Sequence, residues 1–198
     1  MTDNLAEIEH GIEDRNSYWR KEIDGKTVAE IAEIISGFER RATRDSLTGL
    51  INREEFGKEF TAFSEGALRR GSDVYVLFFD FDDLKKVNDN EGHQAGDELL
   101  KNGSQLIKSS LRSSDLIARL GGDEFAAALE TKDGDPDRKD PEVVVQRIVS
   151  NLTNSGVSIS VGVCKFRRGD ILDDVINKAE RNMKFDKVDR KAGRDFNE

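Results

Sequence analysis

Apolar positions recur along the chain with two different periods, and the changes of period mark its elements. Leu5, Ile8 and Ile12 repeat at helical spacing, and Asp24-Gly25 breaks that pattern. Thr27-Val28-Ala29-Glu30 has capping-box form, so a second helix is expected to start there. Within it Val28, Ile31, Ile35 and Phe38 step by three and four, a narrow apolar seam. The seam suits either a helix packed on its own domain or a dimerising, signal-carrying stalk, and two heptads do not separate these readings.

From Ala42 onward the texture changes. Phe56, Phe60, Phe63 and Ala67 mark one helix face, and Val74 to Phe79 is an apolar run that reads as a strand buried on both faces. That run ends abruptly in acid, at Asp80, Asp82 and Asp83. Leu99, Leu100, Gly103, Leu106 and Ile107 indicate another helix; Leu116 to Leu120 and Glu124 to Leu129 read as two strands hinged at Gly121-Gly122-Asp123. Thr131 to Asp140 is expected to be loop, Val144 to Leu152 a helical stripe, and Val157 to Val163 a half-buried strand. Leu172, Val175, Ile176, Ala179 and Met183 define a last helix. Helices alternate with strands around one embedded hairpin, which predicts an α+β fold with a mixed sheet. The expected division is a helical extension over 1–43 and a catalytic-type domain over 44–198.

Composition narrows the class. The 198 residues suit one domain plus an extension, and hydrophobic and charged residues each make up 36%. A net charge of −9 disfavours nucleic acid or an anionic membrane as partner, so a phosphate ligand needs local cations or metal. The single cysteine, Cys164, allows no internal disulfide and points to a reducing compartment. No apolar stretch approaches a membrane span and Met1 to Glu13 holds no signal-like core, so the expected location is cytoplasmic.

The candidate chemistry sits where strands end. Asp80 follows a buried run and Asp123 lies in a tight Gly-Gly turn. Hard oxygen ligands brought together in this way suit Mg²⁺, which needs one or two carboxylates and leaves places for phosphate oxygens. Glycines at 121 and 122 allow a backbone or ligand to approach closely. Taken singly, these features describe an ordinary hairpin beside a solvated acidic loop. No Gly-rich loop ending in Gly-Lys-Ser/Thr is present, and Leu84 breaks any EF-hand spacing. His10 and Cys164 read as surface and packing residues. His93 reads as a residue that orders a turn, since no other His or Cys lies near it in sequence.

Taken together the motifs form an ordered set. Arg119-Leu120-Gly121-Gly122-Asp123-Glu124-Phe125 contains Gly-Gly-Asp-Glu-Phe unchanged, preceded by Phe79-Asp80-Phe81-Asp82-Asp83-Leu84-Lys85-Lys86-Val87-Asn88-Asp89 and by Gly92-His93-Gln94-Ala95-Gly96-Asp97. Asp45-Ser46-Leu47-Thr48-Gly49-Leu50 opens the set and Ser160-Val161-Gly162-Val163 closes it. In order and spacing these resemble the GGDEF diguanylate cyclase family over about residues 44 to 194. The resemblance implies a ferredoxin-like palm sheet flanked by helices. It implies an enzyme that condenses two GTP into cyclic di-GMP, with release of pyrophosphate and one GTP per domain in a homodimer. Asp80, Asp123 and the Phe81 carbonyl would bind Mg²⁺ (replaceable by Mn²⁺), with Glu124 in a second-metal or base role and Lys85 reaching the triphosphate. Asn88 and Asp97 would read guanine beside Gly121 and Gly122.

Other parts of the resemblance concern phosphate and product. Lys187 and Lys191 have the family's spacing of two C-terminal cations, although Ala179-Glu180-Arg181-Asn182-Met183-Lys184 departs from the usual Ala-Asp-x-Ala-Met-Tyr. The second cation is open among Arg190, Lys191 and Arg194. Arg112-Ser113-Ser114-Asp115 matches the family's inhibitory site, where Arg112 and Asp115 would bind cyclic di-GMP. The rival readings are a non-catalytic cyclic di-GMP receptor, a cyclase of mixed product, and a scaffold acting through its N-terminal helices. The retained acids, and Asp97 in particular, weigh against them.

Asp97 gives a direct test. A carboxylate accepts from guanine N1–H and the 2-amino group together, whereas adenine offers a lone pair and no 2-amino group. Hydrogen-bonding sites of this kind discriminate by roughly 10⁴. Asp97→Ser is expected to relax the preference for GTP over ATP in a competition assay, and unchanged selectivity would contradict the assignment.

Overall fold

The computed structural model describes residues 19–21, 23–135 and 140–194, with residues 40, 41, 186 and 188–194 described by backbone alone. The chain divides into two compact units, Met1–Ala42 and Thr43–Glu198. In the first, helix α1 (Val28–Thr43) begins at the anticipated capping box: Thr27 N–H donates to Glu30 Oε2 at 2.7 Å and Glu30 N–H to Thr27 Oγ1 at 3.3 Å. Trp19 stacks at a tilt on Phe38, with ring centroids 4.9 Å apart. Along the seam Val28 and Ile35 are exposed and Ile31 and Phe38 half-buried. The helix expected over Leu5 to Ile12 lies outside the described residues.

The second unit runs β1 (Ile51–Asn52), α2 (Arg53–Arg69), β2 (Asp73–Phe81), α3 (Leu84–Glu91), α4 (His93–Ser109), β3 (Leu116–Gly121), β4 (Glu124–Thr131), α5 (Pro141–Asn154), β5 (Ile159–Phe166) and α6 (Leu172–Arg194). The sheet order is β1-β3-β4-β2-β5. Among the described residues only the short β1 pairs in parallel, with β3; the β3–β4, β4–β2 and β2–β5 pairs are antiparallel. Without β1 this is the β-α-β-β-α-β ferredoxin-like arrangement, a mixed α+β sheet as the residue pattern predicts. No described helix is long and apolar enough to cross a membrane.

Both sheet faces are covered, which is why β2 reads as a continuous apolar run. Leu77, Phe79 and Phe81 point into a core shared with Leu100 and Ile107 of α4 and Val144, Ile148 and Leu152 of α5. Val74, Val76 and Phe78 point the other way, onto Phe56 and Phe60 of α2 and Val175, Ile176 and Met183 of α6. Two glycines set how close the helices lie. A Cβ at Gly103 of α4 would stand 2.2 Å from the Phe81 ring, and one at Gly162 of β5 would stand 2.0 Å from the Ala179 carbonyl oxygen of α6. The second contact is with backbone, so α6 rests on the sheet at a distance only glycine permits.

Two expectations are corrected. β2 extends to Phe81, so Asp80 is the penultimate residue of the strand rather than the residue after it. The stretch after it forms a helix, α3, which buries none of its residues and therefore shows no apolar stripe. Thr131, expected in a loop, ends β4; residues 132–135 are irregular and the remainder of the loop as far as 139 lies outside the described residues.

Candidate active site

Strand parity decides which acids meet. Side chains alternate across a strand, so Asp80 continues the row Val74, Val76, Phe78 and faces the α2–α6 side. In the antiparallel register Asp80 stands opposite Glu124 on β4 and opposite Ser160 on β5. Directly opposed residues share a face, so the end of β2 presents Asp80 and Glu124 side by side toward α6, next to Asp123 in the β3–β4 turn.

The Glu124 carboxyl is pushed above its ordinary range by burial, and further by the negative charges of Glu180, Asp123 and Asp80, with Arg53 opposing. Opposite the acids, α6 supplies Lys187. Its Nζ lies 2.7 Å from Asp80 Oδ1 and 2.8 Å from Asp82 Oδ1. Burial alone would depress this lysine, but its bonds to Asp80 and Asp82 raise it above its usual value. Lys184, which stands where the family pattern has tyrosine, pairs with Glu180 one turn earlier.

The glycine turn is shaped by backbone conformation. Gly121 has φ 151° and Gly122 φ 52°, in the region that favours glycine, and a Cβ at either would meet nothing within 4 Å. The turn is also clamped from behind. Arg119 donates through Nε and Nη2 to the Gly122 carbonyl oxygen, at 2.9 and 2.7 Å, and through Nη1 to both Asp45 oxygens, at 3.1 and 3.2 Å. Asp45 is itself fixed by the Thr48 N–H at 2.8 Å and hydroxyl at 2.7 Å. Burial pushes the Asp45 carboxyl up, but the Thr48 bonds and the Arg119 guanidinium more than offset this and hold it below its ordinary value. Neither Asp45 nor Arg119 stands out in the sequence as a site residue. The two are far apart in the chain, and only their motif context marks them.

The proposed base readers lie on adjoining helices. Asn88 lies on α3 and Asp97 on α4, and a Cβ at Gly96 would stand 2.0 Å from Asn88 Oδ1. Gly96 thus lets the Asn88 side chain lie against α4 beside Asp97. Asp97 is the fifth residue of α4, beyond its first turn; Gly92, at φ 87°, and His93 form that helix start. Asp83 adopts a left-handed φ of 62° as α3 begins, and Lys85 follows, exposed, in its first turn.

The other proposed residues are placed as follows. Arg112 and Asp115 lie before β3, bordering a cleft of about 440 Å³ with Gln105, Lys108 and Leu111. There the Arg112 guanidinium pairs with Asp135 at 2.8 and 3.2 Å, and Asp115 Oδ2 accepts from the Arg112 N–H at 2.8 Å. The side chains of Arg190, Lys191 and Arg194 lie outside the described residues. A hollow of about 510 Å³ borders Phe60, Phe166 and Leu172, at the opposite end of the sheet from Asp80.

Among the described residues no three His, Cys, Asp or Glu side chains are grouped to enclose a metal by themselves. Asp80 and Asp123, with the Phe81 carbonyl nearby in sequence, fit a hard cation that takes one or two carboxylates and completes its shell with phosphate and water oxygens. They do not fit a metal held by protein alone.

A palm-type mixed sheet with acids at a central strand end and in the neighbouring glycine turn is the arrangement that the motif resemblance predicts. The chain belongs to the GGDEF family: the family described as diguanylate cyclase, GGDEF domain matches residues 42–192. It is similar to the probable diguanylate cyclase DgcJ of Escherichia coli, 30% identical over 153 residues, covering 77% of this chain and 31% of that protein. Over 84 residues it is 49% identical to the cyclic di-GMP phosphodiesterase NbdA of Pseudomonas aeruginosa, covering 42% of this chain and 11% of that protein. Among solved structures it is similar to the diguanylate cyclase SiaD of Pseudomonas aeruginosa in complex with its activator SiaC. That match has a TM-score of 0.67 and 26% identity over 94% of this chain and 70% of that one. The chain therefore spans about a third of the length of DgcJ and about a tenth of NbdA.

Asp45→Asn tests the clamp. Removing its charge leaves Arg119 partly buried without its acid, which is expected to cost about 1–3 kcal/mol of stability. Because the folded-state value of Asp45 is depressed, its contribution is present above the unfolded value of about 3.9 and is lost as pH falls through the folded one. The Tm gap between wild type and variant is therefore expected at neutral pH and should shrink well below pH 4. An equal gap at both ends would contradict the ion-pair account.

Proposed function

We propose that this domain condenses two GTP molecules into cyclic di-GMP. The observation that carries the reading is the meeting of Asp80, Asp123 and Glu124 at one end of the sheet, opposite Lys187, with the Asn88–Asp97 pair on the adjoining helices. Acids alone would repel a triphosphate. A lysine among them supports a site for a nucleotide that arrives with a divalent cation. The name of the probable diguanylate cyclase DgcJ agrees with this reading.

In this account Asp80 and Asp123, with the Phe81 carbonyl, hold Mg²⁺ or a similar divalent cation. Such an ion, when bound, lowers the pKa of an attacking hydroxyl and stabilises charge on the leaving oxygens. Lys187 and Lys85 pair with phosphate oxygens, and Lys191, Arg190 or Arg194 supplies a second C-terminal cation. Asn88 and Asp97 orient guanine, and the glycine turn leaves space beside the phosphates. Glu124, whose raised pKa favours taking up a proton, serves as base or as a second cation ligand. The 3′-hydroxyl of each GTP, giving up its proton, attacks the α-phosphorus of the other, and two pyrophosphates leave, so two domains face each other in a homodimer. Arg112 and Asp115 bind the product, which then limits its own synthesis.

The alternative is a receptor that binds cyclic di-GMP without making it. One relative, matched over 84 residues, is named a phosphodiesterase and not a cyclase. Chromatography of purified protein incubated with GTP and Mg²⁺, beside Asp123→Ala, separates the two. Cyclic di-GMP from the wild type, with at least a hundredfold loss in the variant, is the expected outcome. No product, together with tight binding of added cyclic di-GMP, would replace the cyclase by the receptor.

A further inference from the structure

One acid at the site has no role in the account above. Asp82 lies just beyond β2, and its main-chain N–H donates to the Ser158 carbonyl oxygen at 3.0 Å. Its Oδ2 accepts from the Ser158 hydroxyl at 2.7 Å, and its Oδ1 from the Ser160 hydroxyl at 2.9 Å and from Lys187 Nζ at 2.8 Å. Ser160 is 1% exposed and the Asp82 side chain 18% exposed, so the carboxylate is held on several sides. Burial pushes the Asp82 carboxyl up, yet the Lys187 and serine bonds hold it below its ordinary value.

This arrangement does more than tie β2 to β5. A main-chain bond and one serine would suffice for that. Here two hydroxyls fix the carboxylate and aim it at a lysine from the far end of the chain. Lys187 would otherwise have the rotamer entropy of a long flexible side chain to lose on meeting a ligand. A rigid acceptor restrains it beforehand, which is preorganisation. Asp82 also gives the lysine a second acceptor. Lys187 is bonded to two carboxylates, Asp80 and Asp82. If Asp82 were neutral, the remaining carboxylate would be Asp80, and the lysine would hold the acid that the cation requires.

We propose that Asp82, oriented by Ser158 and Ser160, is a positioning residue that retains Lys187 beside the triphosphate site when Asp80 exchanges the lysine for the divalent cation. The inference rests on the reading of Lys187 as a phosphate contact, and its test separates the two. Binding of 3′-deoxyGTP, which cannot cyclise, would be measured with Mg²⁺ on the full chain. The proteins are wild type, Asp82→Asn, Lys187→Ala and the double variant, with Tm recorded for each. Asp82→Asn and Lys187→Ala are each expected to weaken binding about tenfold, with the double variant within about twofold of Lys187→Ala. Where product forms, the KM for GTP should rise more than kcat falls.

Ser160→Ala, which keeps every charge, should weaken binding in the same direction by less, and not at all in the Lys187→Ala background. It also carries the test should Asp82→Asn fail to fold. Equal weakening by Asp82→Asn in both backgrounds would overturn the positioning role while leaving Lys187 as a phosphate contact. So would a lower Tm with unchanged binding, which would reduce Asp82 to a tie between strands. Unchanged binding in Lys187→Ala would instead overturn the phosphate reading, and the inference with it.

Discussion

Negative charge gathered at one end of a sheet is costly, and the structure of this domain is arranged around holding it there. Asp80, Asp82, Asp123 and Glu124 lie at the end of β2 and in and beside the β3–β4 turn, in a chain already carrying a net charge of −9. Two like charges at 4 Å repel by about 4 kcal/mol at an effective dielectric of 20. The site meets this in three ways. Burial among other acids raises the pKa of Glu124, Lys187 reaches from α6 onto Asp80 and Asp82, and serine hydroxyls share the charge of Asp82. In the proposed reading, a divalent cation arriving with a triphosphate complements the negative charge that remains.

Other features of the fold follow from the need to bring α6 and the glycine turn to that point. Gly162 lets α6 lie against β5, so that Lys187 emerges over the end of β2. Arg119 grips the Gly122 carbonyl while Asp45 and Thr48 hold Arg119, which gives a conformationally permissive Gly-Gly pair a fixed place. On the other side Gly96 lets Asn88 approach α4 and places it with Asp97. Each of these is a close contact or a clamp, and each acts at a distance in sequence that local propensity does not register.

That difference explains what could be read from the chain. The covered sheet faces were legible because burial writes itself as apolar period: Val74 to Phe79, the Phe56–Phe60 face and the Val144, Ile148, Leu152 stripe all appear where expected. Helix α3 was not, since Leu84–Glu91 buries nothing and starts from a left-handed Asp83. Asp80, Asp123 and Glu124 could be found as motif residues, but only strand register shows that Asp80 and Glu124 stand opposite each other. Asp82 was hidden by its neighbours, one acid in a run of acids, because its partners Ser158, Ser160 and Lys187 come from β5, the segment before it, and α6. The Asp45–Arg119 pair was hidden in the same way.

The central claim is that the acids at the end of β2 and in the glycine turn form a cation and triphosphate site, with Lys187 as its built-in counter-charge. Anomalous diffraction from crystals grown with Mn²⁺ and 3′-deoxyGTP tests it most directly. The account predicts a manganese peak bound by Asp80 and Asp123, with Lys187 withdrawn from Asp80 but still within hydrogen-bond reach of Asp82. A peak elsewhere, with Lys187 still bridging Asp80 and Asp82, would contradict it.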